Sequence, residues 1–557
     1  MARRGRIPGQ LLVAASILPS LALFGQIEDP SARGQLQASA ALAMLGYLGT
    51  VYVLPTFTPF LARSGLTGKD LCKKGTASAE KEIPEGTGVI AGTMFLICVV
   101  ILQLFYGRDS SDKMVDYLSA LLSICFMTFL GFTDDVLDLP WRYKLLLPTV
   151  ATLPLLCAYD GSTSVVVPRP LDHLLVAVGA GGGGDGVLTL VGRVVSSVFS
   201  ITVPGKLGGV VLLDLGECGT AYMVYMGLLA VFCTNAVNIY AGINGLEAGQ
   251  SFVVACAILA HNMHELRRGR DTGNHTFSAM LLLPFIGTTL GLLRYNWFPA
   301  RAFVGDTYCY FAGMTFAVVG IHGHFSKTLI LMFLPQVTNF LLSVPQLFKV
   351  LPCPRHRLPR MDTEKGLLVP STMPYKSEFP VWRFLRSGPD GEVINLTLIN
   401  LVLHTVGPLR ESSLCTLLLV REKGIEGGRL ITAGGTAVHR NGWAVFLAGL
   451  LLPGWLPLSK CVRYVLYILW TISVPRAHVP FSTLCSFVFM FLCRIACLAL
   501  HLSRNCLKSW LATFNTYPYG FLQDFLSLGF SKRHKSVTIV CKGPRAPADF
   551  AFMPGPT

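Results

Sequence analysis

Long apolar stretches separated by short polar connections recur along the first 420 residues of the chain. A helix needs about 20 mainly apolar residues to cross a bilayer, and about ten of these stretches approach that length. We therefore predict an all-α polytopic membrane protein with about ten transmembrane helices. The predicted spans lie near residues 37–58, 88–106, 116–132, 143–159, 220–240, 248–263, 277–293, 302–321, 327–348 and 396–419.

Three segments fall outside this array, so we divide the chain into an extension (1–34), a transmembrane domain (35–420) and a tail (421–557). The extension has an Arg-rich start and a short apolar run, which are typical of a signal sequence or an extra anchor. Within the domain, residues 175–211 are Gly-rich, and we interpret them as a flexible insert of low complexity. The tail is partly apolar and has no predicted role.

The composition agrees with a membrane protein. Hydrophobic residues make up 52% of the chain and charged residues only 14%, whereas soluble domains carry about 25% charged residues. The net charge of +15 is also found in nucleic-acid-binding proteins, but Lys and Arg on the cytosolic flanks of membrane helices give the same sign. We therefore expect no nucleic-acid partner. The 16 cysteines include no CxxC pair, which favours buried thiols over a disulfide or zinc framework.

The polar clusters of the domain all fall on one side of the predicted membrane. If the ten spans alternate across the bilayer, the connections after the odd-numbered spans share a face. That face carries residues 68–85, 134–144, 235–247, 301–306 and 355–357. Such a coincidence predicts one assembled site. The last connection is long and rich in Lys and Arg, which places this face in the cytosol, although the connection after span six is also basic.

The first motif ends the third span with Asp134, Asp135 and Asp138. Asp134 and Asp138 are four residues apart and would share one helical face if the helix continues. Carboxylates at the end of a membrane helix are costly unless cations or phosphates accompany them. A phosphate-binding network with Lys144 is one interpretation, and a solvated helix end bracketed by Arg142 and Lys144 is the other.

The second motif places Asn235, Asn238, Asn244 and Glu247 in an otherwise apolar stretch. An isolated Asn can simply bond a neighbouring helix, and this remains the alternative. Interleaved glycines allow a ligand to approach the backbone closely. We therefore favour a ligand-binding segment.

Asp306 stands at the start of the eighth span, where a lone carboxylate is also explained as a helix cap. Together with Asn238 it becomes a candidate Mg²⁺ ligand, because Mg²⁺ prefers hard oxygen donors and usually takes only one or two from the protein. Arg355, His356 and Arg357 form a basic, proline-bounded loop after the ninth span. Such a loop suits phosphate oxygens, although anionic lipid head groups are an alternative partner.

These motifs resemble those of the polyprenyl-phosphate phosphoglycosyl transferase family, of the glycosyltransferase 4 type. The resemblance covers roughly residues 35–420 without the insert. It implies ten spans, a cytosol-facing site in the endoplasmic reticulum membrane, Mg²⁺ dependence and sensitivity to tunicamycin. It also implies transfer of N-acetylglucosamine 1-phosphate from UDP-N-acetylglucosamine to dolichyl phosphate, with release of UMP, as the first step of lipid-linked oligosaccharide synthesis for N-glycosylation. Dimers within the family make a homodimer plausible.

The resemblance also implies a role for each candidate residue. Asn238 and Asp306 would bind Mg²⁺, and three catalytic groups would face the lipid phosphate. The catalytic and substrate-binding candidates are Asp134, Asp135 and Lys144 at the lipid phosphate, Glu85 on the dolichyl-phosphate side, Arg355 at the pyrophosphate, His356 and Arg357 at the N-acetylglucosamine, and Leu71, Asn244 and Glu247 at the nucleotide.

A phosphate monoester has a second pKa of about 6, so dolichyl phosphate is mostly dianionic at neutral pH and needs little help from a base. We therefore predict catalysis by positioning and charge stabilisation, with Asp134 and Asp135 orienting Lys144 and the acceptor. The sequence departs from the family pattern at Lys69 (usually Gln), Cys72 (often Asn) and Asp138 (commonly Asn). The first two departures concern nucleotide contacts rather than catalysis.

Two other functions compete with this interpretation. Residues 134–138 form a DDxxD pattern, which is typical of membrane prenyltransferases that bind magnesium diphosphate. Those enzymes normally need a second aspartate-rich motif, and the ten-span region has none. A transporter for nucleotide sugars or lipid intermediates would instead predict internal repeats and polar residues at mid-span, whereas the polar clusters here lie at the ends of the spans.

Overall fold

The structure is a computed structural model of the chain, and it describes residues 16–18, 20–76, 79–106, 111–161, 220–349, 351–354, 356–374, 392–420 and 422. It also describes short strand segments at 164–166, 176–177, 187–188, 200–202, 212–214 and 386–387. All of these belong to Met1–Val479, the first of two units into which the chain divides. The second unit, Pro480–Thr557, lies outside the described residues. So does the rest of the tail apart from Glu422.

The described residues are mostly helical, as the apolar runs predict. Helix α1, Pro30–Arg63, begins where the Asp29 side chain accepts a bond from the Ser31 amide, with Pro30 in the first turn, a common helix start. The other helices are α2 Gly88–Tyr106, α3 Ser111–Leu137, α4 Trp141–Cys157, α5 Thr220–Ile239, α6 Leu246–Arg267, α7 Thr272–Asn296, α8 Gly305–His322, α9 Ser326–Met332, α10 Leu334–Leu347, α11 Leu398–Val406 and α12 Glu411–Val420.

Four of the described helices are long and apolar enough to cross a membrane: α1, α3 over Lys113–Leu137, α5 over Tyr222–Ile239, and α7. Helices α9 and α10 add a fifth crossing if they count as one span bent by 69°. Helices α2, α4 and α12 are apolar only over shorter stretches, namely Gly88–Leu104, Leu146–Cys157 and Glu411–Val420. The prediction of a mostly helical membrane protein is thus confirmed, whereas the number of about ten spans stays a prediction.

Two predicted spans do not form single helices. The ninth, 327–348, divides at Phe333 into α9 and α10, with Pro335 near the start of the second helix. The tenth, 396–419, ends as a helix at Val406, and Gly407 then adopts a φ of 96°. Proline follows at 408, and the next helix begins at Glu411. Pro and left-handed Gly are ordinary helix stops, and the apolar pattern alone hides them.

Helix α8 forms the centre of the bundle. It is buried from Thr307 to His322 and packs against α3 and α5. Two glycines let these helices approach closely: a Cβ at Gly131 would lie 2.6 Å from the Cα of Thr307, and one at Gly313 would lie 2.3 Å from the Cα of Thr234. Small residues at helix contacts are typical of membrane bundles. Here they bring the ends of α3 and α5 beside the start of α8.

The all-α prediction is incomplete, because the connections between helices contain short strands. Two-stranded antiparallel pairs join β1 Thr67–Lys69 to β2 Glu82–Pro84 and β8 Arg360–Asp362 to β9 Leu367–Val369. A three-stranded sheet has the order β10 Thr372–Pro374, β12 Glu392–Ile394, β11 Arg386–Ser387. The segment that holds the predicted flexible insert also carries pairs among its described residues: β3 Ser164–Val166, β7 Leu212–Asp214 and β6 Ser200–Thr202 in one sheet, and β4 Val176–Ala177 with β5 Val187–Leu188.

Candidate active site

A pocket of about 220 Å³ lies where the β1–β2 segment, the α5–α6 connection and the start of α8 meet. Most of the predicted polar clusters contribute to its wall. Its lining residues are Lys69, Asp70, Leu71, Cys72, Glu85, Asn238, Ala241, Gly242, Ile243, Asn244, Glu247, Asn296, Phe303, Val304, Gly305, Asp306, Cys309 and Leu358.

Lys144 links the two acidic motifs beside this pocket. Its Nζ lies 2.7 Å from Oδ2 of Asp306 and 3.0 Å from Oδ2 of Asp134. Asp134 is buried and also accepts bonds from the Tyr310 hydroxyl at 2.9 Å and the Leu139 amide at 3.0 Å. The alternative of a solvated helix end is therefore wrong for Asp134. Lys144 of α4 therefore lies between a carboxylate of α3 and a carboxylate of α8.

Asp135 has a different role from its neighbour, because it caps helix α8. Its Oδ1 accepts the Asp306 amide at 2.6 Å, and its Oδ2 accepts the Thr307 amide at 3.1 Å and also the Thr307 hydroxyl. A carboxylate at a helix N-terminus satisfies free amides and favours the helix dipole. Asp135 thus fixes the first turn of α8 and, with it, the position of Asp306.

Asp138 does not join this cluster. Helix α3 ends at Leu137, and Asp138 adopts a left-handed φ of 47° with an exposed side chain. The expectation that Asp134 and Asp138 share a helical face is therefore wrong. Asp138 also does not line the pocket, so residues 134–138 do not act as one chelating DDxxD group.

Asn238 and Asp306 meet at the wall of the pocket. The Asn238 amide nitrogen donates to Asp306 Oδ1 at 2.9 Å, and both residues line the pocket. The side-chain carbonyl oxygen of Asn238 is not used in this bond, and Asp306 supplies a carboxylate. The pair therefore offers the hard oxygen donors that Mg²⁺ prefers. Within the described ranges no group of three or more His, Cys, Asp and Glu side chains is arranged to hold a metal. A metal here would draw its remaining ligands from water and substrate.

Asn244 and Glu247 lie at the other end of the pocket. The Glu247 carboxylate accepts the Gly242 amide at 3.1 Å and shapes the turn between α5 and α6. This turn needs glycine, because Gly242 and Gly245 have φ angles of 117° and 85°. The side-chain nitrogen Nδ2 of Asn244 is buried and has no hydrogen-bond partner in the protein. An unpaired buried donor is costly, and Nδ2 is available to a ligand that enters the pocket.

Leu71 and Glu85, two of the predicted substrate-binding residues, also line the pocket. Leu71 begins a short 3₁₀ helix after β1 and is partly exposed. Glu85 follows β2, and burial together with the charge of Asp306 raises the pKa of its carboxyl. A Cβ at Gly68 would lie only 2.7 Å from Glu85 Oε2. Glycine at 68 therefore leaves room for this carboxylate.

The basic loop is placed only in part. Arg355 lies outside the described residues. His356 is exposed, and neither it nor Arg357 is among the residues that line the pocket. Burial lowers the pKa of the Arg357 guanidinium, and its Nη1 is buried without a hydrogen-bond partner. The next residue, Leu358, does line the pocket, so the loop lies close to it.

Several residues of the site were not predicted individually. Lys73 lies between the carboxylates of Asp70 and Glu411, and all three side chains are buried. The Glu411 carboxylate also accepts the Asn244 backbone amide at 2.8 Å. One signal was available, because Glu411 is an acidic residue inside the predicted tenth span. Asn235, by contrast, donates to the Val231 carbonyl of its own helix, which is a structural bond within the bundle.

Comparisons with known proteins identify the family of the chain. The profile of Glycosyl transferase family 4 matches residues 117–324. The chain is 40% identical over 420 residues to the UDP-N-acetylglucosamine–dolichyl-phosphate N-acetylglucosaminephosphotransferase of Dictyostelium discoideum, covering 72% of this chain and 90% of that protein. It is 36% identical over 459 residues to the protein of the same name from Saccharomyces cerevisiae, covering 73% of this chain and 92% of that protein.

Each of the two relatives matches more than two thirds of this chain and about nine tenths of its own length. The chain therefore belongs to the family of UDP-N-acetylglucosamine–dolichyl-phosphate N-acetylglucosaminephosphotransferases, within glycosyl transferase family 4.

Proposed function

We propose that this chain transfers N-acetylglucosamine 1-phosphate from UDP-N-acetylglucosamine to dolichyl phosphate. An oxygen of the lipid phosphate bonds to the β-phosphorus of the nucleotide sugar, and the bond between that phosphorus and the bridging oxygen breaks. The products are N-acetylglucosamine-pyrophosphoryl-dolichol and UMP. The observation that carries the proposal is that Asn238 and Asp306 line the pocket while Asp306 and Asp134 hold Lys144 directly beside it, since two anionic phosphates can react only where cations and hard ligands are assembled.

Asn238 and Asp306 are the residues that would hold Mg²⁺. Bound Mg²⁺ supplies positive charge at the pyrophosphate and so lowers the repulsion between the two substrates. The chain's own cation, Lys144, lies directly beside these ligands because Asp306 and Asp134 hold its Nζ. Lys144 therefore stabilises negative charge as it develops on the phosphates.

Asp135 is a positioning residue in this mechanism. Both of its carboxylate oxygens already accept bonds from the first turn of α8, so they are poorly placed to remove a proton. The acceptor phosphate needs no such base, because its second pKa is about 6. Rate enhancement then comes from in-line positioning and from charge stabilisation.

The cellular setting follows from the same proposal. The pocket faces the cytosol, where UDP-sugars are available, and the enzyme resides in the endoplasmic reticulum membrane as a homodimer. The positive-inside argument for the basic connection after residue 349 supports the orientation. Tunicamycin, as a nucleoside mimic of the donor, competes for the pocket.

The test is transfer of labelled sugar phosphate to dolichyl phosphate in detergent, with and without EDTA and tunicamycin. A chain that ends at Glu422 is the matched control for the tail. Glu422 must be kept because it is buried and accepts a bond from Gln336 at 2.7 Å. We expect product from both chains, lost with EDTA or tunicamycin. Folded protein that makes no product in either form would contradict the proposal.

A further inference from the structure

A buried ion cluster lies behind the end of the pocket that Asn244 and Glu247 form, which the proposed function assigns to the nucleotide and which we call the nucleotide end. The cluster joins two walls of the pocket. Lys73 follows β1, and its Nζ pairs with Asp70 of the same turn and with Glu411 Oε2 at 3.2 Å. The Phe298 ring covers the ammonium, with 5.0 Å between Nζ and the ring centroid. Burial alone would lower the pKa of Lys73, but the carboxylates of Glu411 and Asp70 outweigh it and raise that pKa. The lysine is therefore charged at neutral pH.

Glu411 reaches from this cluster to the opposite wall. Its Oε1 accepts the backbone amide of Asn244 at 2.8 Å, while its Oε2 faces Lys73. Glu411 begins α12, far along the chain from either wall. A second bond joins the same walls, because the Cys72 thiol donates to the Gly242 carbonyl at 2.9 Å. The two walls are therefore held at a fixed separation.

The residue that Glu411 holds has an unsatisfied side-chain group in the pocket. The Asn244 side-chain nitrogen is buried without a partner, and Asn244 lines the pocket. The direction of that side chain depends on its backbone, and the backbone amide is bonded to Glu411. A buried backbone donor that loses its acceptor is costly, so this bond restricts the residue effectively.

We propose that Glu411, held by the Asp70–Lys73 pair, is a positioning residue that aims Asn244 at the nucleotide of the donor. This inference rests on the proposed function, because it takes the ligand of this end to be a uridine nucleotide. It predicts that Glu411 governs donor affinity, whereas the Lys144 and Asp306 end governs turnover. The KM for the dolichyl-phosphate acceptor should not depend on Glu411.

Two conservative variants separate the position of the carboxylate from its charge. Glu411→Asp keeps the charge for Lys73 but withdraws the acceptor from the Asn244 amide by one methylene. Glu411→Gln keeps the length and an acceptor oxygen but loses the charge, and the Asp70–Lys73 pair remains neutral. Each variant thus retains a paired lysine, which avoids leaving a buried charge uncompensated.

The experiment measures donor and acceptor kinetics and, separately, UMP binding by calorimetry in detergent. We expect Glu411→Asp to raise the KM for UDP-N-acetylglucosamine and the Kd for UMP about tenfold, the size expected for one buried bond. Its kcat and its KM for dolichyl phosphate should stay within about twofold, and Glu411→Gln should shift KM by only about twofold. Unchanged donor affinity in both variants would overturn the inference, as would equal losses in kcat and both KM values. A wild type that binds UMP without transferring sugar phosphate would instead refute the proposed function.

Discussion

The two ends of the pocket differ in how their polar groups are paired. One end is formed by Asn238 and Asp306, and the proposed function assigns it to the phosphates, so we call it the phosphate end. There Asp306, and Asp134 and Asp135 beside it, all have protein partners that hold their carboxylates in place. At the nucleotide end, Asn244 Nδ2 and Asn296 Oδ1 are buried at the pocket without protein partners. The first end is preorganised by the chain itself, whereas under the proposed function the second is completed by its ligand. Changes at the phosphate end should therefore reduce kcat, whereas changes at the nucleotide end should raise KM.

The largest effect is expected for Asp306→Asn. The substitution removes the proposed charged metal ligand and one of the two carboxylates that hold Lys144, so kcat should fall about a thousandfold, within the range for loss of a key electrostatic group. Steady-state assays at saturating substrates measure this. Thermal unfolding in detergent is the control, since Lys144 retains Asp134. If kcat fell by less than about tenfold, the result would contradict the role of Asp306.

Asp135→Asn should have a smaller effect, because its task is to cap α8. The amide keeps one acceptor oxygen but turns an NH₂ group toward the α8 amides, so we expect kcat to fall about tenfold and the unfolding temperature to drop. The shape of the pH–rate profile should not change. A loss as large as that of Asp306→Asn, together with disappearance of the acidic limb, would identify Asp135 as a general base instead.

Asn244→Ala tests the nucleotide end directly. It removes the unpaired donor, so the KM for UDP-N-acetylglucosamine should rise about tenfold while kcat stays within about twofold. Asn262→Ala is the matched control. Asn262 is also buried and lies in α6, but its side chain bonds Ser278 and His275 of α7. That control should lower stability and leave KM unchanged. Equal KM shifts in the two variants would contradict a specific contribution of Asn244 to donor binding.

The smallest effect is expected for Lys69→Gln, which restores the residue usual in the family. Lys69 lines the pocket, but its ammonium pairs with Glu80 at 3.1 Å, and both side chains are largely exposed. An exposed pair contributes little to stability, so the unfolding temperature should hardly change. Donor KM should move by about twofold or less. A large shift would show that this departure from the family pattern retunes nucleotide binding.

The sequence predicted the phosphate end better than the nucleotide end. Asp134, Lys144, Asn238 and Asp306 interrupt apolar runs, and polar groups there are costly without a function. The apolar pattern therefore singles out these four residues as a group. The capping role of Asp135 depends on how α3 and α8 cross at Gly131, and spacing along the chain does not contain that information.

The contribution of Glu411 was missed for a related reason. It acts on Asn244 across a long sequence separation, and the apolar run around it suggested one continuous span. For Asp138 the sequence predicted a shared helical face with Asp134 that the structure does not have. That prediction required the helix to continue through Asp138, but the helix ends at Leu137. Arg355, predicted at the pyrophosphate, lies outside the described residues and stays a prediction.

The most direct test of phosphoglycosyl transfer follows the phosphorus atoms. UDP-N-acetylglucosamine labelled in its β-phosphate is incubated with dolichyl phosphate, Mg²⁺ and the purified full chain, and the lipid and aqueous phases are separated. We expect the label to enter the lipid and UMP to be released in equal amount. Release of labelled UDP, with unlabelled lipid, would mean that the sugar moves without its phosphate and would contradict the proposed reaction.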